Sequence, residues 1–528
     1  MLHAVLGFEG ALSAPHHAAA LAGRDVLQEG GTAIEAMVAA AATIAVVYPH
    51  MNGIGGDGFW LIKRPGAAPV GIFAGGQAAT LATPGWYAAQ GHETAIPGRG
   101  GLAALTVPGT IGGWQCALDQ SRSTLPLSRL LAPAIAHAER GIAVTGNQSH
   151  VTSEKLDGLR DVPGFADTFL INGAPPAPGA RLRQPALAVT FRHLAENGLR
   201  SFYDGDIAET HGAFLASHGS PLRQADFAAY GAEVVEPLRL QTSHGTLYNM
   251  IAPTQGVASL MILGIFDRLG VREADGFAHV HGLIESTKQA FRLRERLVRD
   301  PQDMPVLKLD QALSSEALAQ LASQIDMTSA MPWSGAGDMS DTTWFGAIDN
   351  EGRAVSCIQS LYHEFGSGVV LPQSGICWQN RGSSFSLEPA HPRALKPGRL
   401  PFHTLCPSLV RFDDGRHMVL GTMGGDGQPQ TQSCVFTRYA WFNRPLQDCI
   451  SLPRWVVGRT WGQDSNTLKL EARFAPEVMT ALRERGHDVE VLADYDEVMG
   501  HAGALVHRPD GVIEAAYDPR SDGAALGY

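Results

Sequence analysis

A chain of 528 residues that is 45% hydrophobic and 17% charged can bury a large core, which excludes a disordered or fibrous protein. Its 40 Lys and Arg against 52 Asp and Glu leave a formal charge of −12 with no extended basic run, so nucleic acid is excluded as a partner. The 6 scattered cysteines contain no CxxC pair, no basic-then-apolar leader opens the chain, and the most apolar stretch, residues 36–48, is too short to span a bilayer; the expectation is a soluble cytoplasmic protein without membrane contact.

Residues 15–29 read as a helix, which Gly30-Gly31-Thr32 break before capping a second one over 33–48. That second helix is alanine-rich and apolar on most faces, so it should be buried. It runs into MNGIGGDGFWLI, a glycine-rich turn followed by a short apolar strand. Segments 127–140, 185–197, 257–268 and 276–299 repeat apolar residues at helical spacing. Between 314 and 340 a helix ends in MPWSGAGDMS, whose turn residues predict an exposed, mobile segment. From Thr342 the texture changes. TTWFGAIDNEGRAVSCIQSLY alternates apolar and small or polar residues around Asp349-Asn350-Glu351-Gly352, a hairpin signature. A second hairpin turns at Asp413-Asp414-Gly415, and the C-terminal part adds the segment 446–453, the strand LKLEARF, a helix over 476–485 and a final strand pair in ALVHRPDGVIEAAYDP. The mixture predicts an α+β sandwich with a switch at Asp341/Thr342.

The segment at the switch, SDTTWFGAIDNEGRAVS, resembles the small-subunit start of the γ-glutamyltranspeptidases, whose Thr-Thr-aromatic run becomes a new N-terminus after self-cleavage. The likeness continues in order over nearly the whole chain, through EGGTAIEAMVAAAATIAVVYPHMNGIGGDGFWLI, LTVPGTIGGW, FGSGVVLPQSGICWQNRGSSFS, ALKPGRLPFHTLCPSLV, TMGGDGQPQTQ and DPRSDG. It implies a four-layer αββα sandwich of the N-terminal nucleophile type. It also implies scission between Asp341 and Thr342, and a large fragment (1–341) and a small one (342–528) that share one core as a heterodimer. On the same resemblance Thr342 is the nucleophile, Ser360 the hydroxyl that hydrogen-bonds it and supports processing, and Gly424 and Gly425 the oxyanion-hole glycines. The chemistry needs these types. A hydroxyl attacks poorly until a base takes its proton, and a freed α-amine, with an ordinary pKa near 8, stands within reach of its own side chain. Glycine backbone N–H groups then stabilise the oxyanion at little reorganisation cost.

The family grips the α-carboxylate and α-amine of a γ-glutamyl group, and here that clamp is changed. The large-subunit arginine is replaced within IFAGGQAAT at about Gly76, the strand asparagine is Tyr362, an amide is Arg381, the acidic residue is Ser384, and a serine pair is His403-Thr404. With no acidic residue at the family's place, an ammonium group has no partner. Arg381 offers a planar fork suited to a carboxylate; His403 and Thr404 add donors, and Tyr362 fills space. The expected substrate is a small acidic amide without an amino group, hydrolysed rather than transferred. This pattern is similar to the branch that includes oxamate amidohydrolases, which release oxalate and ammonia in purine breakdown. Glutaryl or cephalosporin acylases and a γ-glutamyl hydrolase or transpeptidase are the alternatives, and an unprocessed scaffold is the alternative outside enzymes. The short segment 385–401 implies no long lid.

Other signals are set aside. GIGGDG lacks the nucleotide-loop spacing and reads as a close-packed turn beside the site. His279 and His281 lie two apart on a helix and point to different faces, so a metal set with Glu285 is not expected. His16-His17 has no acid at ligand spacing, no G-x-S-x-G is present, and Asp518-Pro519-Arg520 reads as structural. No cofactor is called for.

Overall fold

Along the strand Asp341–Asp349, Trp344 and Ile348 point into one apolar core while Phe345 and Ala347 point into another. A strand apolar on both faces has to be covered on both, and the computed structural model shows how. It describes residues 2–122, 124–304, 309–333, 335, 341–459 and 465–528.

Two seven-stranded sheets lie at the centre. In chain order their strands are β1 (Val5–Gly7), β2 (Gly10–Ala14), β3 (Asp57–Lys63), β4 (Val70–Ala74), β5 (Glu233–Val235), β6 (Leu238–Thr242), β7 (Gly245–Asn249), β8 (Asp341–Asp349), β9 (Ala354–Tyr362), β10 (Ser408–Phe412), β11 (His417–Gly421), β12 (Gly503–His507), β13 (Ile513–Tyr517) and β14 (Ala524–Gly527). One sheet runs β1-β13-β12-β11-β10-β7-β6 and the other β14-β2-β8-β9-β3-β4-β5. Phe59, Trp344, Ile358, Leu409, Val419 and Leu505 fill the space between them.

Helices cover the outer faces. Over the β8-containing sheet lie α1 (His17–Gln28), α2 (Ala33–Val47), α3 (Thr110–Asp119) and α4 (Leu127–Arg140); over the other lie α5 (Gly256–Phe266), α6 (Phe277–Leu297) and α7 (Gly427–Ala440). The result is the four-layer αββα sandwich. Helix α2 is buried at all of its positions and starts on a capping box in which Thr32 and Glu35 satisfy each other's backbone N–H groups. Its Ala33 N–H also donates to Asp349 Oδ2 at 2.9 Å, so the hairpin turn after β8 holds the helix beneath it.

Most predicted elements stand within a few residues of their expected limits. LKLEARF departs, because its strand ends at Glu471, where Arg520 and Arg473 take up the buried carboxylate. Of MPWSGAGDMS, residues 334 and 336–340 lie outside the described residues. Met331 is held from both sides, its N–H on Glu285 Oε2 at 3.1 Å and its carbonyl on Lys288 Nζ at 2.7 Å. Asp518-Pro519-Arg520 is structural, as expected: Asp518, Arg520, Arg454 and Glu471 form a buried ion network.

Candidate active site

Thr342 sits where the β8–β9 ladder slips. Asp341 pairs with Tyr362 and Thr343 with Gln359, so Ser360 and Leu361 together oppose Thr342 alone. Such a bulge re-aims side chains next to active sites. The Thr342 side chain is fully buried, and its Oγ1 accepts a hydrogen bond from Gln428 Nε2 at 3.2 Å. Gln428 is fixed by its other end, Oε1 accepting from Cys406 N–H at 3.1 Å. Next to Thr342, Asn52 Nδ2 donates to Thr343 Oγ1, and Thr343 Oγ1 donates to the Gln359 carbonyl at 3.1 Å. Ser360 Oγ accepts the Tyr362 N–H at 2.8 Å. Tyr362 itself has φ +86, a strained value for a bulky residue.

The oxyanion candidates follow β11. Gly424 and Gly425 have φ +112 and +52, which glycine adopts without strain. Among the described residues a Cβ on Gly424 would meet nothing nearer than Gly500 Cα at 3.8 Å, so the positive φ, not crowding, calls for glycine there. The turn leads directly into α7, whose N-terminal end adds a positive field. Gln255 Nε2 ties it from behind, donating to the Gly425 carbonyl at 2.9 Å and the Thr404 carbonyl at 2.6 Å. Arg294 in turn grips Gln255 Oε1 at 2.7 Å and both oxygens of Asp426 at 2.6 and 2.8 Å.

The residues expected to hold substrate come together across the two sheets. Arg381 is buried and lies over the Tyr362 ring at 3.8 Å from its centroid. His403 and Thr404 are fully buried, His403 with its ring edge-on to Phe59 at 4.8 Å. Burial and the Arg381 charge hold the His403 imidazole well below its ordinary pKa. Ser384 Oγ donates to the Phe402 carbonyl at 3.3 Å and is spoken for by the backbone.

At Gly75 a Cβ would stand 2.9 Å from His403 Nε2, and at Gly76 one would meet the Val107 carbonyl at 1.5 Å. The site also holds an acid. Asp57, first residue of β3 and Cα partner of Ser360, places a buried carboxyl beside His403 Nε2 at 3.6 Å. It was read only as part of a tight turn, and that turn is indeed close-packed: a Cβ on Gly56 would lie 2.0 Å from the Ser360 carbonyl. Asn52, Gln255 and Gln428 were likewise missed; Asn52 and Gln428 lie inside motifs that carry the resemblance, YPHMNGIGGDG and TMGGDGQPQ, while Gln255 lies in none.

His279 and His281 do part, His279 to Thr437 Oγ1 at 2.8 Å and His281 to the Asp326 carbonyl at 2.9 Å. The fold does gather His281, Glu285 and His487 with ligand atoms within 4.8 Å of one another. All three have protein partners: His281 and His487 bond each other at 2.8 Å, and Lys288 holds Glu285 at 2.7 Å.

The αββα frame, with a buried threonine at a sheet bulge, is that of the self-processing amidohydrolases of the N-terminal nucleophile class. The γ-glutamyltranspeptidase family model matches residues 19–528, and the chain belongs to that family. It is 56% identical over 98% of its length, and 98% of the relative's, to the oxamate amidohydrolase proenzyme of Klebsiella pneumoniae. It is 37% identical over the full length of both chains to a glutathione hydrolase-like proenzyme of Bacillus subtilis. Among solved structures, the cephalosporin acylase from Bacillus halodurans superposes with a TM-score of 0.92 at 33% identity, covering 100% of this chain and 97% of that one. Among the described residues no helix is long and apolar enough to cross a membrane.

Proposed function

We propose that the chain cuts itself before Thr342 into fragments 1–341 and 342–528, which stay together, and that the product hydrolyses a small acidic amide, oxamate, to oxalate and ammonia. The observation that carries the reading is the buried Thr342 hydroxyl at the bulge, fixed by Gln428 close to the Gly424-Gly425 turn. In the continuous chain this hydroxyl attacks the Asp341 carbonyl, and water opens the resulting ester. The freed amine of Thr342 then takes the hydroxyl proton, the oxygen adds to the substrate carbonyl, and Gly424 and Gly425 N–H groups hold the oxyanion. The proton passes to the leaving nitrogen, ammonia departs, and water hydrolyses the acyl-enzyme.

Ser360, on the strand opposite, supports the attack. Arg381 takes the substrate carboxylate, with Tyr362 stacked beneath it and His403, Thr404 and Ser384 closing the pocket. The 56% identity to an oxamate amidohydrolase proenzyme supports this substrate over its rivals. A place in purine breakdown and in the cytoplasm would follow, and six free cysteines suit a reducing compartment. The likeness to a cephalosporin acylase favours one second reading, a glutaryl-type acylase. A panel of oxamate, a glutaryl amide and γ-glutamyl-p-nitroanilide on processed protein separates them. Ammonia release from oxamate should dominate; preference for either other substrate overturns the oxamate assignment.

A further inference from the structure

Asp57 has no part in the mechanism above, yet it is 1% exposed and lies beside His403. Its Oδ1 accepts three N–H groups, from Gly76 at 3.1 Å, Gly109 at 2.9 Å and Gln379 Nε2 at 3.0 Å. Its Oδ2 accepts none among the described residues, and faces His403 Nε2 at 3.6 Å. Neither ring nitrogen of His403 has a hydrogen-bond partner there either. A carboxylate oxygen left bare in a buried site is costly. A proton on Oδ2, by contrast, has the imidazole lone pair to point at.

Among the described residues, Arg381, His403, Tyr203 and Tyr230 interact with this carboxyl. Arg381 favours its ionised form, and His403 is held neutral by burial and by Arg381. The phenols of Tyr203 and Tyr230, both buried, stay protonated. Burial outweighs Arg381 and the three N–H groups and pushes the Asp57 carboxyl up to about 7.

We propose that Asp57 is the specificity-determining residue of the site: as a neutral acid it adds no charge of its own beside Arg381 and admits an anionic amide, and as a carboxylate it opposes the Arg381 charge and turns the anion away. The inference rests on the reading of Arg381 as the anion-binding group. It assigns Asp57 no contact with the reacting atoms.

The test compares an acidic amide with its uncharged twin on processed enzyme from pH 6 to 8.5 (KM, or Ki for a poor substrate), using oxamate and oxamide. The Thr342 amine serves both, so the ratio of the two constants isolates the charge. The oxamate-to-oxamide ratio should rise at least about tenfold across that range, as one ionisation near its midpoint requires. Asp57→Asn, whose NH2 stands where the protonated oxygen would, should hold the ratio flat at its low-pH value. A flat ratio in the parent, or a variant that keeps the parent's rise, overturns the proposal. So does a variant that weakens both amides equally at every pH, the mark of a merely structural residue. Should Asp57→Asn fail to fold, the parent's ratio alone decides. If the enzyme prefers glutaryl amides, the same comparison is made with glutaramate and glutaramide. Loss of the oxamate assignment and loss of the Asp57 role are thereby told apart.

Discussion

In the proposed mechanism Thr342 attacks and Arg381 holds the anion, and each can be removed separately. Thr342→Ala should remain one uncut chain on a denaturing gel and release no ammonia from oxamate; normal turnover by that variant would sink the mechanism. Arg381→Ala should still cut itself, since the Asp341–Thr342 bond needs no anion site. Its KM for oxamate should rise about 10- to 100-fold, the weight of about 1.5–3 kcal/mol for a hydrogen bond to a charged group, with a smaller change in kcat. Steady-state kinetics on processed protein check it, and an unchanged KM removes Arg381 from the site. At this scale the sequence is readable where the signal is local: the roles proposed for Thr342, Gly424 and Gly425 come from contiguous motifs and from the order of those motifs along the chain. Asp57 was not readable, because its meaning comes from His403, more than 300 residues away, and from strand pairing with Ser360. Nothing in GIGGDG shows which atoms will surround its aspartate.

The strands and turns around these residues carry their own predictions. Trp344, two residues past Thr342, lies against glycines on the facing sheet; a Cβ on Gly421 would stand 2.1 Å from its ring. Gly421→Ala should force the indole aside and cost about 1–3 kcal/mol, read as a lower Tm, with slower self-cleavage in a gel time course. The Gly424-Gly425 turn depends on Arg294 and Asp426, a buried bidentate pair. Removing one partner leaves a buried charge uncompensated, at about 3–5 kcal/mol. Arg294→Ala should therefore lower both Tm and ammonia release, and a variant with parental values would show that the turn holds itself. Helical spacing and hairpin turns were enough to place most elements. The bulge at Thr342 was invisible beforehand, since an alternating pattern does not reveal which strand carries an extra residue.

Across the whole molecule, the strands on either side of Thr342 interleave. In the sheet β14-β2-β8-β9-β3-β4-β5, β8 and β9 lie between β2 and β3, which come from the other side of the proposed cut. The cut enzyme should run as a single particle in native size-exclusion chromatography and separate only in denaturant; fragments that part in plain buffer would contradict this. The buried Asp518 carboxylate, held below its ordinary pKa against burial by Arg454 and Arg520, gives acid sensitivity a source. Its stabilisation is present above the unfolded value near 3.9 and fades as pH falls through the lower folded one. Thermal melts should therefore lose stability below about pH 4, and Asp518→Asn, already weakened at neutral pH, should lose less there.

The interleaving also constrains how the gene can be arranged. Were the two halves encoded as separate messages, each polypeptide would leave the ribosome with bare strand borders where its neighbours ought to be, and such borders seek any partner at hand. One uninterrupted reading frame keeps each of those borders tethered to its future neighbour until the match is made.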